Sequence, residues 1–148
     1  MEIIGPAVKG TTSILHSVLK YGTEVKRFVQ ISSISAVQDL HAAGKAVVYT
    51  EKNWGDRVVQ ICKEKGREAS GIDKYEASKV LSERAAWEFV EEHKDTVKFD
   101  LVSINPALIL GPALQEAKSP QELNTSLQLF YFAVVMGAFK GKELTAPL

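Results

Sequence analysis

The sequence predicts an α/β protein with parallel strands. Two short β-rich runs, 24–33 and 98–105, alternate with helical patterns at 6–20 and 74–93. Strands that alternate with helices pair in parallel, because each crossover returns the chain to the same end of the sheet. A third helical pattern, 119–137, follows the second strand. Two strands make an incomplete layer, because a parallel pair needs strand neighbours and helices on both faces. The expected architecture is therefore part of a larger parallel sheet with flanking helices.

In the first helical stretch, Val8, Thr12, Leu15 and Leu19 recur at helical spacing. Pro6 suits its first turn, and Gly22 is placed to close it in the left-handed conformation. The run Val25, Phe28, Val29 and Ile31 is nearly continuous in apolar character, which predicts a strand buried on both faces. Ser32, Ser33 and Ser35 end it. Residues 38–73 are mixed, with a short helix near 56–64 and a polar surface loop at 63–71. Residues 74–93 contain strong helix formers and neither Gly nor Pro, with Val80, Ala86, Trp87 and Val90 as the packing face. Leu81, Ala85 and Phe89 widen that face. Pro106 ends the second strand, and Ser119-Pro120 signals the start of the last helix.

Charge narrows the choice of partners. Eighteen basic residues balance eighteen acidic ones, so no net field draws the chain to nucleic acid or to an anionic membrane. The single cysteine, Cys62, cannot form an internal disulfide and has no catalytic partner pattern beside it. No apolar run reaches the roughly 20 residues that span a bilayer. The N-terminus lacks the basic-then-apolar pattern of a signal peptide, and the expected location is cytoplasmic.

Three features carry chemistry. Tyr75 and Lys79 are four apart at the start of a helix and so are neighbours on its surface. An ammonium beside a phenol favours the phenolate, which makes the tyrosine a better proton donor or acceptor near neutral pH. Ser33 stands at the carboxyl end of a strand, where ligands of open α/β sheets bind, and its hydroxyl can meet a carbonyl oxygen. Asn105-Pro106 ends the second strand on the same rim. A serine, asparagine or proline at such a place also serves simply to terminate a strand.

The segments PAVKGTTSIL, VKRFVQISS, YEASKVLSERAAWEFVEEHK, FDLVSINPALILGP and LNTS occur in this order. Over residues 2 to 126 they resemble the dihydroflavonol reductase and yeast-type methylglyoxal (aldehyde) reductase branch of the extended short-chain dehydrogenases/reductases, in the NAD-dependent epimerase/dehydratase superfamily. The resemblance implies that 1–148 are a single, partial NAD(P)-binding Rossmann-like domain. It implies a catalytic set of Ser33, Tyr75 and Lys79, and NADPH more often than NADH as hydride donor. Tyr75 and Lys79 would also hold the nicotinamide ribose, Pro106 and Ile109 would line the nicotinamide, and Ser126 would reach the cofactor. The implied reaction is reduction of a small aldehyde or ketone. Two alternatives stand beside it: a nucleotide-sugar epimerase or dehydratase, and a non-catalytic truncated or degenerate paralogue.

One part of that pattern has no counterpart here. Such enzymes open with a strand, a Gly-x-x-Gly-x-x-Gly turn and a helix that bind the pyrophosphate, and Gly5, Gly10 and Gly22 follow no strand. The first βαβ units and the C-terminal substrate lobe are thus expected to lie outside these residues, and 1–148 alone to be inactive. His16, His41 and His93 show no metal-ligand spacing, and no metal is expected. The family further implies a homodimer through helices 6–20 and 74–93, with Leu81, Ala85 and Phe89 supplying contacts.

Overall fold

The computed structural model describes residues 3–39, 41, 47–112, 114 and 116–138. They fall into two compact units, Met1–Ala107 and Leu108–Leu148. The first unit contains α1 (Ile4–Tyr21), β1 (Arg27–Ile31), α2 (Asp56–Lys65), α3 (Gly71–Glu92) and β2 (Asp100–Ile104). β1 and β2 pair in parallel, with Arg27 opposite Asp100 and Ile31 opposite Ile104. The connection between them includes α3, so the expected β-α-β unit is present.

α1 and α3 pack side by side. Ile4 shares a core with Ala77 and Val80, while Leu15 shares one with Ala86 and Phe89, so the two helices run in the same direction. Phe28 and Leu101 meet the second of these cores from the sheet. α2 adds Val58, Val59 and Cys62 to the first. Burial pushes the pKa of the Cys62 thiol above its ordinary value, which suits an unreactive core residue.

The sheet departs from the expected burial on both faces. Successive side chains of a strand point to opposite sides. Phe28 turns toward the helices, while Val29 is 49% exposed, Ile31 56% and Ile104 46%. Among the described residues of this unit the helices cover one face only. On the open face Arg27 donates from Nε to Asp100 Oδ1 at 2.8 Å and from Nη2 to Oδ2 at 2.6 Å. That guanidinium holds the Asp100 carboxyl below the usual carboxylate range.

α3 begins three residues before the expected start at 74. Ser70 Oγ accepts from Asp73 N–H at 3.0 Å, and Asp73 Oδ2 accepts from Ser70 N–H at 3.3 Å. This reciprocal capping box sets the start despite Gly71 at the first helical position. Ser70→Ala should lower stability by about 1 kcal/mol, measured by urea unfolding.

Gly22 closes α1, but not in the left-handed conformation. Its φ is −87°. Space requires the glycine: an added Cβ would lie 2.8 Å from the Val18 carbonyl oxygen and 3.0 Å from Val25 Cγ2.

The second unit also departs from expectation. Instead of one helix over 119–137 it has a 3-10 turn at Pro120–Glu122, then α4 (Thr125–Phe130), then a π-helical turn at Tyr131–Val135. Ser119 makes no side-chain cap. Asn124 starts the α-helix instead, its Oδ1 accepting from Leu127 N–H at 3.0 Å.

Candidate active site

Tyr75 and Lys79 stand on the first turns of α3, on the side away from the buried Ala77 and Val80. The Tyr75 side chain is 47% exposed. Lys79 Nζ lies 5.7 Å from its ring centroid, within cation–π reach. The pair expected from the four-residue spacing is therefore formed, with an accessible phenol.

Ser33 lies just beyond β1, in a segment stitched to the end of β2. Ser32 N–H donates to Ile104 C=O at 2.8 Å, and Ile34 N–H to Pro106 C=O at 3.0 Å. Between them, Asn105 Nδ2 donates to Ser33 C=O at 3.0 Å. Ser33 Oγ accepts from Ser35 N–H at 3.2 Å and caps the 3-10 turn Ile34–Ala36. That bond uses a lone pair and leaves the hydroxyl hydrogen for another acceptor. The 3-10 turn packs on α3, and Gly55 fits beneath it, where a Cβ would come within 2.8 Å of the Gln38 carbonyl oxygen.

The Asn105 amide also reaches α3: Nδ2 donates to Glu83 Oε2 at 2.7 Å. Glu83 is 4% exposed, and its other oxygen takes a long contact at 3.5 Å from Trp87 Nε1. Ser33 is thus linked to the helix that carries Tyr75 and Lys79, through Glu83, one turn beyond Lys79. Ser33 makes no hydrogen bond to either of them. Pro106 sits half-buried on the same rim. Ile109 and Ser126 belong to the second unit, where Ile109 is 64% exposed and Ser126 lies in the first turn of α4.

A second cluster flanks Tyr75 and escapes any reading of sequence spacing. His41, Asp73 and Glu76 bring their ligand-type atoms within 4.8 Å of one another. His41 Nε2 is 3.1 Å from Asp73 Oδ1. Asp73 ionises below its ordinary range, chiefly because the Ser70 hydroxyl is in hydrogen-bond contact with its carboxylate. Glu76 is 4% exposed, and burial pushes its pKa above the ordinary carboxylate value; His41 opposes that shift and Asp73 and Asp39 add to it. A raised folded-state value means that the contribution of Glu76 is complete below the unfolded value and is lost as pH rises through the folded one. Glu76→Gln should therefore raise the thermal midpoint at pH 7. The variant and parent should converge below about pH 4, where Glu is protonated in both states. Scans at the two pH values read this directly.

His16 packs edge-on to Phe89 with ring centroids 4.8 Å apart, a structural role. Phe89 itself is 4% exposed, so it cannot supply the outer dimer contact expected of it. Its ring is consumed by the core with Leu15 and Phe99.

A parallel β-α-β unit with flanking helices is a Rossmann-like arrangement. No family model matches the chain. It is 36% identical over 130 residues to the NADPH-dependent methylglyoxal reductase of Saccharomyces cerevisiae, covering 86% of this chain and 36% of that protein. It is 37% identical over 126 residues to anthocyanidin reductase of Arabidopsis thaliana, covering 85% of this chain and 34% of that protein. The crystal structure of yeast methylglyoxal/isovaleraldehyde reductase Gre2 complexed with NADPH superposes with a TM-score of 0.66 at 37% identity, over 76% of this chain and 32% of that one. Gre2 of Candida albicans in complex with NADPH gives 0.71 at 33% identity, over 84% of this chain and 36% of that one. Over the matched segment the chain is similar to these reductases in sequence and fold. It spans about a third of their length.

Proposed function

We propose that these residues form the catalytic part of an NADPH-dependent reductase of small aldehydes or ketones. The observation that carries this reading is the accessible Tyr75 phenol beside the Lys79 ammonium, on a helix tied to Ser33. Tyr75 donates its proton to the carbonyl oxygen as negative charge develops there. Lys79 stabilises the phenolate left behind and, with Tyr75, holds the nicotinamide ribose. Ser33 donates its free hydroxyl hydrogen to the same carbonyl oxygen and fixes its position. The exposed phenol and the ammonium present donors and acceptors suited to a ribose, and Pro106, at the end of β2, would line the nicotinamide. When bound, NADPH supplies the hydride that reduces the carbonyl carbon.

Residues 1–148 are read as one partial nucleotide-binding domain of a cytoplasmic enzyme. Among the described residues no helix is long and apolar enough to cross a membrane. The balanced charge favours neither nucleic acid nor membrane as partner. A homodimer through α1 and α3 would use Ile14 and the half-buried Leu81 and Ala85.

The test is a chimera in which the matched residues replace the corresponding segment of the yeast reductase, assayed by NADPH oxidation with methylglyoxal. Turnover that falls at least about a hundredfold in Ser33→Ala supports the reading. Unchanged turnover in that variant overturns it. A carbonyl reductase is favoured over a nucleotide-sugar enzyme because the relatives above are named as reductases.

A further inference from the structure

Three segments meet at the catalytic rim, and one amide joins them. Asn105 has two N–H donors on a single nitrogen. One goes to the Ser33 carbonyl at 3.0 Å, the other to Glu83 Oε2 at 2.7 Å. Both partners only accept, so the amide orientation is fixed: its oxygen could not stand where its nitrogen stands. Glu83 is buried on α3, four residues beyond Lys79, among apolar neighbours such as Val80 and Ala86. Burying a carboxyl group in such a place is unfavourable unless its oxygens are used. Both of these are: one by Asn105, the other by Trp87.

We propose that Glu83 is a positioning residue: through Asn105 it fixes the Ser33 backbone, and hence the Ser33 hydroxyl, relative to Tyr75 and Lys79. This rests on the reading of Ser33, Tyr75 and Lys79 given above. The physical case is the linkage itself. The β1 end and the β2 end are already joined by the Ser32–Ile104 and Ile34–Pro106 bonds. Those bonds fix the two strand ends to each other, but neither reaches the helix that carries the phenol. The Asn105–Glu83 bond does, and at 2.7 Å it has the length of a charge-assisted hydrogen bond. Serine and tyrosine must address one carbonyl oxygen, so a small displacement between their elements is expressed in the chemical step.

Two measurements test this. On the 148-residue chain at low micromolar concentration, hydrogen–deuterium exchange is followed in Glu83→Gln and Glu83→Ala. The expected result is faster exchange confined to residues 32–36, largest in Glu83→Ala, with α2 unchanged. Exchange that rises equally throughout the chain, or not at all at 32–36, overturns the proposal. In the reductase chimera, Glu83→Ala should lower kcat about tenfold and leave KM for NADPH unchanged, with Glu83→Gln recovering most of the loss. The same substitution in a Ser33→Ala background should cost almost nothing further, because its effect passes through Ser33. A general packing defect would add to the serine loss in full and would overturn the proposal. Should Ser33→Ala and Tyr75→Phe both leave turnover intact, the reading of the active site falls. Should they abolish turnover while Glu83→Ala and Glu83→Gln match the parent, only the role of Glu83 falls.

Discussion

Tyr75→Phe should reduce turnover of the chimeric reductase by about a thousandfold. The substitution keeps the ring and removes only the hydroxyl. The ring is half-exposed and makes no core contact, so the fold should be unaffected. What would be lost is the proposed proton donor to the carbonyl oxygen, and general acid catalysis contributes roughly two to four orders of magnitude. Lys79 remains near the ring, so part of the ribose contact survives and KM for NADPH should rise only modestly. Steady-state NADPH oxidation separates the two parameters. A Tyr75→Phe enzyme retaining parental kcat would show that the proton comes from elsewhere.

Residues 1–148 by themselves should show no saturable NADPH binding up to about 1 mM, which corresponds to roughly 4 kcal/mol. In nucleotide-binding sheets of this kind, the pyrophosphate rests on backbone N–H groups at a glycine-rich helix start. Among the described residues no such turn follows a strand. The contacts proposed above would touch only the nicotinamide half, and their gain would be opposed by the entropy of ordering a long flexible ligand. The sheet adds a second handicap. Val29, Ile31 and Ile104 are exposed on one face, and among the described residues β1 and β2 pair only with each other, which favours self-association. Fluorescence titration at low protein concentration, with sedimentation at increasing concentration, reads both effects. Saturable micromolar binding by this chain would show that the nicotinamide-side contacts suffice.

The sequence located α1, α3 and both strands to within a few residues, because each has a strong local period or composition. The Tyr75–Lys79 pair was legible for the same reason, since a spacing of four on a helix dictates proximity. Gly22 shows the limit of local reasoning. A glycine after a helix suggests a left-handed cap, but here the demand comes from Val25, which leaves no space for a Cβ. The last helix shows it again: Ser119-Pro120 carries a start signal, yet Asn124 makes the cap.

The residues behind the candidate site were not legible. Asn105 reads as a strand terminator and Glu83 as one more acid on a charged helix. One signal was present: Glu83 occupies the same helical face as Val80 and Ala86, where a carboxyl group needs a partner. Its partner stands 22 residues away in sequence. His41 and Asp73 lie 32 apart and meet for the same kind of reason.

The sequence alone determined the parallel α/β class, the helix that carries the phenol and ammonium, and the serine at the strand end. Each of these follows from local periodicity or from a fixed spacing on a regular element. Tertiary structure decided which face of the sheet is covered, how Ser33 is fastened to α3, and which carboxyl groups are buried. Those depend on contacts between segments far apart in the chain, where the energy of a buried polar group is set by the partner that folding delivers to it.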